Sequence, residues 1–424
     1  METSQGFLNS DVMQWISENK GISALCFLYF IWPLPVLSGD VYIHIDYKAY
    51  LLWGLGGAGL LLSTTHRVLR KGRVLHGWFL LLLVLYVLNV GLSSYLSLAQ
   101  KHSLLGGEAY RVGALSIWAS IFLGHALSNQ RIPLLELLYF QAVALACVAL
   151  VVDGPSVLQG YRLKAPIFQA NALGSCLAVG CIIGIYTPYK KSKWFTQPLL
   201  LVCVLFTQSR GTVVLLSLFV GIWLFSFRQV VWHSLKRLVK RTWFWSLPLL
   251  VVGVIGVGYL TQGFWSRLSI GGALPNSIFY RWELQKHGFK LLSILPWAGW
   301  GPDMIYEIFG AFFPLPYSIQ QTLSEGTFID STHNVFLDKF LELGWFGGFA
   351  YMTLVGSAIV KGFRSQKYPG TRGLLMVVLF ITIRHCWSVT TLELECLYWI
   401  GLFALFRTNV STPLKESFAV GIEG

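Results

Sequence analysis

Residues 67–98 read RVLRKGRVLHGWFLLLLVLYVLNVGLSSYLSL, and the fold follows from how abruptly this stretch changes character. Arg67, Arg70, Lys71 and Arg73 crowd its start, and from Gly77 to Leu98 there is no charged residue. An apolar run of roughly 20 residues, at about 1.5 Å per residue, is long enough to cross the hydrocarbon core of a bilayer as a helix. In lipid every backbone N–H and C=O must be paired within the protein, so a lone apolar run is stable there only as a helix. The basic cluster in front of it is the kind of loop that resists translocation and stays in the cytoplasm.

The same alternation continues in both directions through all 424 residues. Hydrophobic residues make up 55% of the chain and charged residues 12%, where a soluble domain carries about 25% charged. Apolar runs near 22–39, 49–63, 76–98, 112–128, 132–152, 170–187, 196–209, 211–227, 244–262, 334–360, 371–387 and 389–406 predict an all-α polytopic membrane protein of about twelve transmembrane helices. Loops 64–75, 129–131, 188–195, 228–243 and 361–372 hold seventeen Lys and Arg and no acid, whereas the alternate loops hold eleven basic and nine acidic residues. This asymmetry puts both termini in the cytoplasm and turns 263–332 outward as one large helical segment. Three parts result: 1–262, with nine spans and a short interfacial helix marked by Leu8, Val12, Trp15 and Ile16; the outer segment 263–332; and 333–424, with three spans and a cytoplasmic tail. Within the outer segment, Asn276 is expected to cap a helix running to about Leu295, where Pro296 stops it.

A net charge of +13 could suggest nucleic acid as a partner, but topology accounts for the basic residues and no nucleic acid is expected. The seven cysteines lie in or beside apolar runs with no CxxC pair, and no histidines show HExxH spacing, so neither a metal nor another cofactor is expected. There is no P-loop or Rossmann glycine pattern in a cytoplasmic loop, which leaves nucleotide chemistry without a seat.

Basic residues that persist on the outer side work against topology and ask for another reason. Arg210, in Thr207-Gln208-Ser209-Arg210-Gly211-Thr212, sits where one span ends and the next begins. A guanidinium at headgroup depth can fork onto two phosphate oxygens, beside the N–H groups that open the following helix. Arg281 lies on the outer helix between Tyr280 and Trp282, rings suited both to membrane interfaces and to sugar faces. Arg162 and Lys164 in loop 153–169, and Arg384 between the last two spans, add positive charge on the same side. His333 stands where the outer segment re-enters the membrane, and with an ordinary pKa of about 6.5 it can act as a general base. Asp330, three residues earlier, is placed to orient the ring.

These residues carry a resemblance. Ile167-Phe-Gln-Ala-Asn171-Ala-Leu-Gly174, Gln208-Ser209-Arg210-Gly211, Arg281-Trp282 with Leu295-Pro296-Trp-Ala-Gly-Trp-Gly301, and Ser331-Thr332-His333-Asn334-Val-Phe-Leu337 with Glu342-Leu-Gly344-Trp-Phe-Gly347 occur in that order. Together they resemble the O-antigen ligase and polymerase superfamily of inner-membrane glycosyltransferases of the GT-C type. Gln169 replaces an Asn of the first motif, and Trp282 is displaced from its usual spacing. The resemblance implies transfer of a glycan from an undecaprenyl-pyrophosphate carrier to an acceptor hydroxyl, without metal, at the periplasmic face of the bacterial inner membrane. It implies Arg210 and Arg281 as catalytic pyrophosphate ligands and His333 as the group that activates or positions the acceptor. Arg162, Tyr280, Asn334 and Arg384 would be further substrate-binding residues. A ligase, with lipid A-core oligosaccharide as acceptor and the protein a monomer in the bilayer, is favoured. A polymerase using a second carrier-linked glycan is the alternative. A transporter of lipid-linked sugars would want charges lining a path through the spans, and Glu136, Asp338, Glu342, Glu393 and Glu395 lie near span ends instead.

Overall fold

The computed structural model describes residues 20–34, 41–69, 77–107, 111–128, 134–157, 159, 161–167, 169–186, 190–226, 274–312, 331–366 and 369–407. Among them the regular structure is helical throughout. The first helices are α1 (Lys20–Ile31), α2 (Val41–Leu69), α3 (Gly77–Leu96), α4 (Gln100–Leu105) and α5 (Ala114–Ser128). Next come α6 (Leu134–Val157), α7 (Ala170–Tyr186), α8 (Lys190–Phe206), α9 (Arg210–Ser226) and α10 (Leu274–Leu291). A 3₁₀ turn at Leu292–Ile294 follows, then α11 (Ile305–Phe312), α12 (Val335–Arg364), α13 (Pro369–His385) and α14 (Leu392–Arg407).

Helices α3, α6 and α12 are long and apolar enough to cross a membrane, and α5, α7 and most of α8 and α9 are shorter apolar helices. The chain is a membrane protein. Eleven of the twelve expected spans coincide with described helices, while the run at 244–262, the N-terminal interfacial helix and the C-terminal tail lie outside the described residues. The helix expected within 263–332 begins at Leu274, so Asn276 falls inside its first turn rather than capping it; its end, with the 3₁₀ turn before Pro296, is where the proline requires it.

Lipid is as apolar as leucine, so transmembrane helices gain little from hiding apolar surface from one another and associate through close packing of small residues. Helix α5 is built this way. A Cβ on Gly56 of α2 would stand 2.4 Å from the Ala119 backbone, and one on Gly124 would stand 3.0 Å from the backbone of α14 at Trp399 and Ile400. The helix is thus held between α2 and α14. Beside it Trp399 packs against Tyr86 and Tyr351, with ring centroids 5.6 and 6.1 Å away.

A second, smaller core joins α10, α11 and the start of α12 through Leu284, Leu291, Ile305, Phe309, Leu337 and Leu341. Its anchor is a break in α12. Gly344 has φ 70° and ψ −177° inside the helix, a conformation that a side chain disfavours. The break releases the Leu341 and Glu342 carbonyls, which accept the Trp300 and Gly301 N–H groups at 3.0 and 2.8 Å. The turn at 297–301 fits so closely that a Cβ on Gly344 would meet the Trp297 oxygen at 2.2 Å, and one on Gly299 the Glu342 oxygen at 2.3 Å. Two distant glycine motifs are therefore two halves of one joint. The buried Glu342 carboxylate completes it, accepting Lys339 Nζ at 2.8 Å and the Asp303 N–H at 2.9 Å.

Candidate functional site

Helices α7, α9 and α13 meet at one end of the bundle through hydroxyl groups. Ser175 of α7 donates to the Asn171 carbonyl at 2.8 Å and accepts Arg384 Nε at 3.1 Å, and its hydroxyl lies 3.4 Å from that of Thr212 on α9. Thr212 in turn bonds Ser209 at 2.8 Å, so Ser209 and Thr212 close the first turn of α9, whose first residue is Arg210. The preceding turn is unusual in its backbone. Gln208 has φ 51°, a left-handed conformation that costs a non-glycine residue about 1–2 kcal/mol. Arg162 braces this turn, donating Nε to the Thr207 carbonyl at 2.8 Å and Nη2 to Asn171 Oδ1 at 3.0 Å.

Arg281 enters from α10. Its Nη1 donates to the Trp387 carbonyl at 3.1 Å, and one turn along Gln285 reaches the Cys386 carbonyl at 3.5 Å. Two side chains of α10 thus hold the loop between α13 and α14. Burial, and then the guanidinium of Arg210, hold Arg281 below the usual arginine range, so the two cations stand close enough to repel in a desolvated place. Arg384, expected in a loop, lies in the last turn of α13, with its side chain buried and near Arg281. Among the described residues Arg281 and Arg384 donate to neutral groups, a carbonyl and a hydroxyl. Two neighbouring guanidinium groups with only such neutral partners among the described residues favour an anion beside them.

His333 completes the group and also takes a left-handed backbone, φ 57°. Its N–H donates to Ser331 Oγ at 2.9 Å, and its ring stands edge-on to Tyr280 at 6.1 Å. Among the described residues its Nδ1 atom is buried without a hydrogen-bond partner. Burial first, then Arg281 and Arg384, push its pKa from the ordinary 6.5 down to about 3. The expectation of an unperturbed imidazole is thus corrected: desolvation and two neighbouring cations keep the ring neutral.

Asn334 serves as the N-cap of α12, its Oδ1 accepting the Phe336 and Leu337 N–H groups at 3.1 and 3.3 Å. Asp330, the expected orienting acid, lies outside the described residues. Sequence reasoning overlooked Asp338 in this role. Its buried carboxylate accepts both the N–H and the hydroxyl of Thr332, at 2.9 and 2.6 Å, and so fixes the residue next to His333. The available signal was its spacing, one helical turn after the Asn cap. Arg210, Arg281, Arg384, Tyr280 and His333 are brought together, and Arg162 and Asn334 hold the backbone that carries them.

The arrangement is suited to an anion with several oxygens. It offers forked guanidinium donors and the start of α9, where Arg210 itself opens the helix and the helix dipole favours negative charge. Among the described residues no three His, Cys, Asp or Glu side chains gather as metal ligands. No curated protein matches the chain. Residues 198–352, which carry Arg210, Arg281, His333 and both halves of the glycine joint, match the family described as O-antigen ligase, and this stretch is an O-antigen ligase family domain.

Proposed function

We propose that the protein is an O-antigen ligase that moves a glycan from an undecaprenyl-pyrophosphate carrier to a hydroxyl of lipid A-core oligosaccharide, at the periplasmic face of the bacterial inner membrane. It acts as a monomer with about twelve spans, both termini in the cytoplasm and 263–332 outside. The observation that carries this reading is the meeting of Arg210, Arg281 and Arg384 beside a neutral His333 whose Nδ1 has no partner among the described residues.

In the reaction the acceptor oxygen attacks the anomeric carbon of the donor and the bond to the pyrophosphate oxygen breaks, with inversion. The carrier pyrophosphate leaves with one more negative charge than it brought. Arg210 and Arg281, aided by Arg384, bind the pyrophosphate and stabilise that added charge, which lets guanidinium groups do the electrostatic work. His333 accepts the hydroxyl proton or orients the hydroxyl, and Tyr280 packs at its side. Arg162 and Asn334 keep Arg210 and His333 in place. The lipid tail lies against apolar helix faces.

The test supplies purified protein with a carrier-linked glycan and either lipid A-core or a second carrier-linked glycan. Extension of lipid A-core supports the ligase, extension of the carrier-linked glycan makes the protein a polymerase, and extension of neither removes the transferase reading. Arg210→Ala, Arg281→Ala and His333→Ala are each expected to abolish transfer while the protein still enters the membrane.

A further inference from the structure

The turn that carries Arg210 is braced by a loop, and the loop is itself pinned from outside the site. Arg162 and Leu163 hold the turn: Arg162 Nε donates to the Thr207 carbonyl at 2.8 Å and the Leu163 N–H to the Phe206 carbonyl at 3.1 Å. Next in the loop, the N–H groups of Lys164 and Ala165 both donate to one carboxylate oxygen of Asp153 at 2.7 Å. The Pro166 carbonyl then accepts Lys48 Nζ, from α2, at 2.8 Å. The same ammonium stands 3.1 Å from Glu393 Oε1, in the first turn of α14. Lys48 and Glu393 are both buried, so a carbonyl is the third member of a buried ion pair.

We propose that Lys48 is a positioning residue for the arginine cluster. With Glu393 it fixes loop 161–167, the loop fixes the Phe206 and Thr207 carbonyls, and these hold the left-handed Gln208 turn from which Arg210 projects. The inference rests on the reading of Arg210 as a pyrophosphate ligand and adds what aims it. A buried ion pair is weak evidence for stability, since two well-packed apolar side chains of similar size often do as well or better. The helices that this pair joins are held by other means, because Gly56 and Gly124 bring α2 and α14 against α5 in backbone contact. What an apolar pair could not do is hold a carbonyl. An ammonium has three N–H groups and no acceptor, so Glu393 balances the charge and a donor is left to fix Pro166. The pair also stands between the two supports of the cluster: the loop of Arg162 on one side and, shortly before Glu393 in the chain, the Trp387 carbonyl that accepts Arg281. The strained backbone at Gln208 persists only where its surroundings over-determine it, and Lys48 closes the outer end of those surroundings.

The test uses full-length protein in nanodiscs of neutral lipid, with inorganic pyrophosphate as the probe and calorimetry as the readout. Lys48→Met/Glu393→Leu removes both charges and keeps the packing, so its thermal midpoint should stay within about five degrees of wild type. Its pyrophosphate Kd should nonetheless rise about tenfold, as for one lost charge-assisted hydrogen bond. Arg162→Ala leaves the ion pair intact and should raise the Kd at least as much, and the triple variant should be no worse than Arg162→Ala, because both changes release the same turn. A second readout needs no ligand: a nitroxide on Gly211→Cys, where a side chain meets open space, with Cys147→Ser and Cys386→Ser to remove the thiols that are not buried. Its spectrum should report a more mobile first turn of α9 in the charge-free variant and in Arg162→Ala alike. A Kd within twofold of wild type in the charge-free variant, a rise that adds in full to that of Arg162→Ala, or an unchanged nitroxide spectrum in either variant would each overturn the proposal. A wild-type protein that binds no pyrophosphate would remove the ligand reading of Arg210, and the nitroxide comparison would then still decide whether Lys48 holds the turn.

Discussion

Replacing Asp338 by Ala tests whether the geometry of the His333 loop is imposed from beneath. In the native structure one carboxylate oxygen accepts two hydrogen bonds from Thr332, whose side chain is fully buried. Alanine leaves the buried Thr332 N–H without a partner, at ~1–3 kcal/mol, and leaves its hydroxyl only the longer bond to the Asn334 carbonyl at 3.2 Å, at ~0.5–1.5 kcal/mol, or on the order of 2–4 kcal/mol together. The adjoining His333 holds a left-handed backbone, which by itself costs about 1–2 kcal/mol and persists only where surrounding bonds over-determine it. With those bonds gone the loop gains by relaxing. A productive state disfavoured by ~3 kcal/mol lowers kcat roughly 100-fold, at about 1.4 kcal/mol per factor of ten. Asp338→Asn keeps an oxygen that can accept both bonds and should stay within about fivefold of wild type. The assay is single-turnover transfer at saturating donor, with calorimetric donor binding as the companion measurement, because the arginines that hold the donor lie on other elements. A kcat for Asp338→Ala within twofold of wild type, or an Asn variant as impaired as the Ala variant, refutes the reasoning.

Other outcomes follow from the same geometry. Arg281→Lys keeps the charge but loses the planar fork, so donor KM should rise at least about tenfold, with Arg281→Ala worse; equal KM values for Lys and wild type would remove the bidentate role. The reactive form of His333 is neutral, so activity falls as pH drops through its pKa. The free protein, with that pKa near 3, should show kcat/KM for donor with no acidic limb down to about pH 5. Bound pyrophosphate offsets the flanking cations and raises the pKa, so the limb in kcat should lie at higher pH; coincident limbs near 6.5 would contradict the proposed electrostatics. Gly344→Ala places a methyl group 2.2 Å from the Trp297 carbonyl at positive φ, and should destabilise the protein by at least ~2 kcal/mol, read as an earlier thermal transition in detergent. Unchanged melting would show that the joint yields at little cost.

Much of this was legible in the sequence because bilayer physics is coarse. A run such as Gly77–Leu98 without charge has one stable form in lipid, and the helices follow the apolar runs to within a few residues at most of their ends. The gathering of Arg210, Arg281 and His333 was legible only through motif resemblance, since residues that far apart meet by tertiary packing. What escaped depends on local geometry that no periodicity encodes. Asp330 lies outside the described residues, and among those described the acid that fixes the loop is Asp338, on the other side in sequence and inside the helix. The capping of α12 by Asn334 was likewise not read from its motif. The Gly299 and Gly344 motifs give no sign, in sequence, that one fills the gap opened by the other.

The low basicity of His333 looks at first like an argument against its role, since a base with a pKa near 3 draws protons weakly. The same neighbours that depress it supply the answer on the proposed reading. Arg281 and Arg384 penalise an imidazolium only while their own charge is uncompensated, and a pyrophosphate compensates it. Burial, the larger cause, still lowers the ring's basicity, and a seated donor returns the part that the two arginines take away. On that reading, charge ties proton acceptance to a seated donor, without any moving part. As the glycosyl bond breaks, the added negative charge on the leaving pyrophosphate strengthens the arginine contacts and favours the imidazolium together. Proton transfer and departure of the carrier then reinforce one another through the two guanidinium groups that stand beside the ring.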